Sequence, residues 1–180
     1  MVCKNLRPTS RFETEINYGL QGGVPAKPAS PARQQANVAT TYLLNAADGV
    51  QRVFWYAWDL HTIADTDLVE KDNLTPTVAG SAFGEVRDWM LGTKVESCEA
   101  DEQGTWLCEL TAPEGTRYVY WNPGRTVTVT TGFAALSAQV LGQPAATLPL
   151  GASLQVAAVP VLLRSAASGA NSPAGLLPLP

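Results

Sequence analysis

The sequence predicts an α/β segment followed by an all-β module. Between residues 11 and 92 the pattern runs strand, helix, strand, helix, and each helix opens on Ser or Thr followed by Pro and closes on Gly. From Lys94 to Leu163 the pattern changes to short runs separated by tight-turn residues. A chain of 180 residues, 46% hydrophobic, has enough apolar side chain for a core. It contains no apolar run near the ~20 residues that a bilayer-spanning helix requires.

Composition excludes one class of partner. The net charge is −4 and the twelve basic residues are scattered, so no cationic stripe exists to displace counterions from a nucleic acid. Met1–Ser10 has neither a period nor the apolar stretch of a signal peptide and is read as a connector. The lone thiol of Cys3 falls there, far in sequence from the single histidine, and is read as a bystander.

The first strand is expected over Arg11–Asn17, with Phe12-Glu13-Thr14-Glu15-Ile16-Asn17-Tyr18 delivering carboxylate, amide and phenol to one end before the chain breaks at Gly19. Glu13, two residues before Glu15, is expected to share its orientation. A breaker-rich loop, Gly19–Pro28, follows; its Gly22-Gly23 lacks the spacing of a phosphate-binding motif. Ser30 then caps a helix with Pro31 at its first position and Gly49 at its stop. Ala32, Ala36, Ala39, Leu43 and Ala46 form its apolar stripe, and Gln34, Asn37, Thr41, Asn45 and Asp48 the polar one. Val50–Asp59 is nearly continuous in β-branched and aromatic residues, the signature of a strand buried on both faces of a parallel sheet.

The following loop carries His61, Asp65, Asp67, Glu70 and Asp72. Counting from Asp65 puts Glu70 where a calcium loop needs glycine, so a solvated acidic loop is expected and no metal. A second helix is expected with Thr75 as N-cap, Pro76 at its first position and Gly92 at its stop. Ala79, Ala82, Phe83, Val86 and Met90 would be buried with Trp89 beside them, and Ser81, Glu85 and Asp88 would face water.

In the all-β part, Lys94–Glu99 and Thr105–Leu110 flank Gln103-Gly104 as a hairpin, which sets Cys98 opposite Cys108 with Trp106 and Leu110 on the same face. A disulfide is preferred over two buried thiols and implies an oxidising compartment; a single pair without CxxC spacing disfavours zinc. Arg117–Trp121 and Thr126–Thr130 are strands joined by Asn122-Pro123-Gly124, read as a type II turn. Further strands are expected near Leu136–Leu141, Leu154–Ala157 and Pro160–Leu163, together making a small antiparallel β-sandwich. The uncharged stretch Ser165–Pro180 reads as a disordered tail.

Three stretches together resemble a known family. Thr14-Glu15-Ile16-Asn17-Tyr18-Gly19, then Arg52-Val53-Phe54-Trp55-Tyr56-Ala57-Trp58-Asp59, then the helix from Thr75-Pro76 to Trp89 look like the end of a secreted, retaining (β/α)8 glycoside hydrolase related to families 39 and 5. The resemblance covers roughly Arg11–Trp121. It implies residues 1–92 as the last two β/α units of a TIM barrel, 93–164 as the sandwich that follows such barrels, and 165–180 as the tail. It implies Glu15 as the nucleophile that attacks the anomeric carbon. Trp55 would be the aromatic platform for the sugar and Trp58 a second candidate; both indoles have barrel-core filler as their other reading, and for Trp58 the two readings balance. Asn17 and Tyr18 would donate hydrogen bonds to hydroxyls, and His61, just past a strand end, could reach the substrate.

The partner implied is an oligo- or polysaccharide, with no cofactor, in an extracellular setting. Retaining chemistry needs a second carboxyl group ~5–5.5 Å away. The family's acid/base glutamate follows an asparagine, and no Asn-Glu pair occurs here. Two units also cannot close a barrel of eight strands. The expectation is therefore a C-terminal fragment, inactive alone, whose partner is the missing N-terminal part of the barrel and whose true start lies upstream. Two other readings stay open: a non-catalytic module that binds a polysaccharide or a cell-surface partner through the β domain and exposed tryptophans, and a structural α/β protein in which Glu15 and Trp55 share no cleft.

Overall fold

A computed structural model describes residues 11–18, 20–21, 24–25, 29–59, 66–131, 135–149 and 151–165. His61, Cys3 and the expected tail from residue 166 onward lie outside the described residues. Ser165, which the tail was expected to include, ends the last strand and donates its hydroxyl to the Thr116 carbonyl at 2.9 Å.

The chain opens with β1 (Arg11–Ile16). Inside the breaker-rich segment two short strands, β2 (Leu20–Gln21) and β3 (Val24–Pro25), pair as an antiparallel ribbon. Helix α1 (Pro31–Ala47) begins as expected: the Ser30 hydroxyl accepts from the Arg33 amide at 3.3 Å and proline fills the first position. It ends where Gly49 adopts φ +76°, a conformation other residues resist. Strand β4 (Val50–Trp55) returns parallel to β1, so β1, α1 and β4 form one βαβ unit.

The polar stripe of α1 is not solvated throughout. Asn37 and Thr41 are buried, because α1 lies between the β1–β4 pair and a second layer and so hides two sides rather than one.

Helix α2 (Val78–Met90) starts two residues later than the Thr75-Pro76 pair suggests. Thr77 is the N-cap, its hydroxyl accepting from the Gly80 amide at 3.0 Å and donating to the Asp67 carbonyl at 2.6 Å. Thr75 is held instead by Asp72, which accepts from the amides of Leu74 and Thr75 and from the Thr75 hydroxyl. These bonds, the Thr75 hydroxyl first, lower the Asp72 pKa to about 2. Pro76 is extended and bridges Val69.

The remaining strands are β5 (Lys94–Ala100), β6 (Trp106–Ala112), β7 (Gly115–Trp121), β8 (Val127–Thr130), β9 (Ala135–Val140), β10 (Ala146–Leu148), β11 (Ser153–Val156) and β12 (Val161–Ser165). Six of them form one antiparallel sheet in the order β10-β9-β12-β7-β6-β5, and β8 and β11 pair separately. The hairpin register sets Cys98 directly across from Cys108, and the two sulfurs are joined.

This sheet is covered on both faces, unequally. One face receives the β8–β11 ribbon, where Tyr118, Tyr120, Val156 and Leu163 are buried with Val127 and Leu154 against them. The other receives both helices: Ala39 and Leu43 of α1 and Ala82, Val86 and Trp89 of α2 share one core with Cys108, Leu110, Val119, Trp121 and Leu162. The small side chains of the helices permit that close approach. Helices and β-sheet are thus continuous through a common core that crosses the residue 92–93 junction.

The turn after β7 is not type II, since Gly124 does not take a positive φ. The buried Asn122 side chain organises it. Its Oδ1 accepts from the amides of Gly124 and Arg125 at 3.0 and 3.1 Å, and its Nδ2 donates to the Gln103 carbonyl and the Thr105 hydroxyl, both at 3.2 Å.

Candidate functional site

The C-terminal ends of β1 and β4 carry most of the candidate residues. In the parallel register Glu13 pairs with Val53 and Ile16 with Trp55. The four residues Glu13–Ile16 therefore match the three residues Val53–Trp55, and a bulge absorbs the odd one. Glu13, Ile16, Val53 and Trp55 are half-buried toward α1, while Phe12, Glu15, Arg52 and Phe54 are exposed on the opposite face. Glu13 and Glu15 consequently do not share an orientation.

The face bearing Glu15 is uncovered. Phe12 and Phe54 are 50% and 52% exposed, and the Arg52 guanidinium lies 5.8 Å from the Phe12 ring centroid. The expectation that β4 is buried on both sides therefore fails: its helix side is packed and its other side is bare among the described residues. The reason is topological, because β1 and β4 form a two-stranded sheet with helices on one side alone.

Trp55, expected as a sugar platform, belongs to the packed side. Its ring lies against Tyr42 (centroids 6.4 Å apart) and Tyr18 (6.1 Å), and it joins the cluster of Val38, Leu68 and Ala79. Its indole Nε1 donates to the Thr66 carbonyl at 2.9 Å. Tyr42, edge-on to Phe83, has its phenol pKa pushed up to about 12 by burial.

Tyr18 is 37% exposed, and its hydroxyl lies 2.8 Å from the Thr41 hydroxyl of α1. Asn17 is half-buried, with Nδ2 donating to the Thr66 carbonyl at 3.1 Å and Oδ1 accepting from the Tyr18 amide at 2.5 Å. The structure thus brings Asn17, Tyr18 and Trp55 together, and sets Glu15 on the other face of the same strand end.

Trp58 is 55% exposed, and its carbonyl accepts from the amides of both Leu68 and Val69 at 3.1 Å. It is the tryptophan whose ring is free to meet a ligand. Tyr56, also exposed, precedes a cis peptide to Ala57, and its amide extends the parallel pairing by donating to the Ile16 carbonyl at 2.9 Å.

Thr66 carries no signal in the sequence, and Thr41 stands there only as a member of the polar stripe of α1; no motif marks either as part of a site. Their role comes from a main-chain carbonyl and a buried hydroxyl that only the fold brings beside β1. No three His, Cys, Asp or Glu side chains among the described residues converge as a metal site would require, and no described helix is long and apolar enough to cross a membrane.

The two tryptophans of the β-sheet lie against each other, Trp121 buried and Trp106 half-buried. Trp121 is 2% exposed, and Trp106 stacks on it with ring planes 2° apart and centroids 5.5 Å apart.

Glu85 also departs from expectation. Rather than facing water, it accepts from Gln139 Nε2 and the Gly142 amide, both at 2.9 Å, and so ties α2 to the turn after β9. Gln139 in turn accepts from the Trp89 indole at 3.3 Å.

The architecture so defined, a parallel β/α strand pair fused through its helices to an antiparallel β-domain, recurs in solved glycoside hydrolases. A family 30 endoxylanase from Clostridium papyrosolvens C71 superposes with a TM-score of 0.55 at 12% identity, over 84% of this chain and 40% of that one. A family 30 subfamily 8 xylanase from Clostridium acetobutylicum gives a TM-score of 0.54 at 12% identity, over 86% of this chain and 42% of that one. The chain spans about two-fifths of the length of either enzyme. At such identity the likeness is one of fold. No protein-family profile and no curated protein matches the sequence.

Proposed function

We propose that the chain supplies the last two β/α units and the C-terminal β-domain of a retaining glycoside hydrolase acting on an oligo- or polysaccharide outside the cell. The observation that carries this reading is the placement of Glu15: an exposed carboxylate at the C-terminal end of a parallel strand, on the face that the helices leave bare. In a β/α barrel that end is where catalytic groups gather. The fold likeness to two family 30 xylanases supports the same assignment and makes xylan the first substrate to try. The motif resemblance points to families 39 and 5; what the two lines share is a glycoside hydrolase-like fold. The Cys98–Cys108 bridge fits an oxidising, extracellular setting.

In this reading Glu15 attacks the anomeric carbon, Trp58 stacks on the sugar, and Tyr18 borders the site. The second carboxyl group comes from the remaining barrel units, which cover Phe12, Phe54 and the open edges of the β1–β4 pair. On this reading the chain alone lacks the group that protonates the leaving oxygen and the walls that exclude water, and no hydrolysis is expected of it.

The test is to assay the purified chain on xylan and aryl glycosides, alone and with the complementing barrel units, together with Glu15→Gln. Turnover is expected in the complemented preparation alone and is lost in the variant. Hydrolysis that survives Glu15→Gln sinks the assignment.

A further inference from the structure

Asn17 has the residue type of a sugar ligand, yet both atoms of its amide are engaged inside the protein. Nδ2 donates to the Thr66 carbonyl and Oδ1 accepts from the Tyr18 amide. The same Thr66 carbonyl accepts from the Trp55 indole. One main-chain oxygen therefore collects a donor from just past the end of β1 and a donor from the end of β4. Two residues further on, the Leu68 and Val69 amides both return to the Trp58 carbonyl. Segment 66–69 is fastened at one end by Asn17 and Trp55 and at the other by the backbone of Trp58.

We propose that Asn17 is a positioning residue: by holding the Thr66 carbonyl together with Trp55, it locks the end of β1 that presents Glu15 to the end of β4 that presents Trp58. The two strands need such a tie. Their register is irregular between Glu13 and Ile16, so the ladder alone does not fix the strand end on which Glu15 sits. A carboxylate that must attack one carbon gains from having its strand end set before the sugar arrives. The importance of the tie for chemistry rests on the glycosidase reading; the tie itself does not, and the two are measured separately.

The test uses the full chain labelled with nitrogen-15. In Asn17→Ala both bonds of the amide are lost. In Asn17→Asp the acceptor for the Tyr18 amide is kept, and the donor to Thr66 becomes a second oxygen facing a carbonyl. Expected in both variants is a displaced Trp55 indole N–H resonance, since a neighbouring donor to its acceptor is gone. Amide exchange at Leu68 and Val69 should rise by about tenfold or more. The indole resonances of Trp106 and Trp121, distant in the β-domain, stay in place and report an intact fold.

Wild-type values for Trp55, Leu68 and Val69 in both variants would overturn the proposal. So would a change confined to Asn17→Ala, because the bond to Thr66 would then not be the one that matters. Failure of the glycosidase assay leaves these resonances untouched, so the two ideas fall independently.

Discussion

Glu13 and Glu15 lie two residues apart in β1 and point to opposite faces of it, Glu13 toward α1 and Glu15 away. Strand alternation alone would put them on the same side. The bulge that separates them decides which carboxylate is available to a substrate on the bare face. In a complemented, active preparation, Glu15→Gln is expected to lower kcat on an aryl glycoside by ~10³-fold or more, the scale seen when a reacting group is removed. Glu13→Gln should leave kcat within a factor of a few. Equal losses in the two variants would mean that β1 is regular in solution.

Local grammar was legible wherever one residue type had one use. Ser30-Pro31 and Gly49 bounded α1, and the Gln103-Gly104 turn fixed the register that faces Cys98 with Cys108. It misled where two residues competed: Thr75 and Thr77 flank the same proline, and Asp72, by capturing Thr75, hands the cap to Thr77. Asn122-Pro123-Gly124 carries the letters of a type II turn, but the asparagine side chain bonds the next amides first. The bulge in β1, the uncovered face of β4 and the engagement of Asn17 had no local signal. Each depends on a partner that the local residues do not name: the β1 register on Val50–Trp55, the bare face of β4 on helices packed against its other side, and Asn17 on Thr66, 49 residues further along. At the candidate site the residue types were readable, and the side of the sheet each one faces was not.

The Cys98–Cys108 bridge closes a short loop within the hairpin and stands beside buried Leu110 and Trp121 at the centre of the core that helices and sheet share. Closing a loop of this length restrains the unfolded chain by about 2–3 kcal/mol in the chain-entropy account. Reduction, or the paired replacement Cys98→Ala with Cys108→Ala, should lower Tm by roughly 4–12 °C for a chain of this size. Because the core is continuous, the loss should be seen by helix and strand probes at one temperature. Two separate transitions would show that the β/α part and the β-domain unfold independently.

Gly80 stands in the first turn of α2 where the chain passes closely overhead. A Cβ placed there would lie 1.9 Å from the Leu68 carbonyl oxygen, a backbone atom that cannot swing aside. Gly→Ala in a helix is ordinarily stabilising by propensity, by up to about 1 kcal/mol. Here the clash wins, and Gly80→Ala is expected to destabilise by about 1–3 kcal/mol, as overpacking does. Gly84, one turn on, meets nothing within 4 Å, so Gly84→Ala should be neutral or stabilising. Chemical denaturation of the pair separates the two effects, and a stabilised Gly80→Ala protein would refute the close approach of segment 66–69.

Glu85 gives the junction between α2 and the β-domain a pH dependence of predictable sign. Burial raises its pKa above the ordinary 4.5; the Gly142 amide and the Arg164 charge pull it back, and Asp88 adds to the rise. Below the unfolded value the carboxyl is protonated in both states and nothing is lost. As pH climbs above it, the unfolded chain releases this proton first, the native state binds more protons than the unfolded one, and stability falls until the folded pKa is passed. Other exposed carboxylates such as Glu96 and Glu114, whose pKa values are lowered chiefly by bonds from Lys94 and Arg117, act in the opposite sense. They are common to wild type and variant and cancel in a difference. The Tm of the wild type minus that of Glu85→Gln is therefore expected to decrease as pH rises above the ordinary carboxylate value and to level off once the raised folded pKa is passed. A difference that is flat, or that grows with pH, would place Glu85 in solvent as the helical pattern alone suggests, and the bonds to Gln139 and Gly142 would not persist in solution.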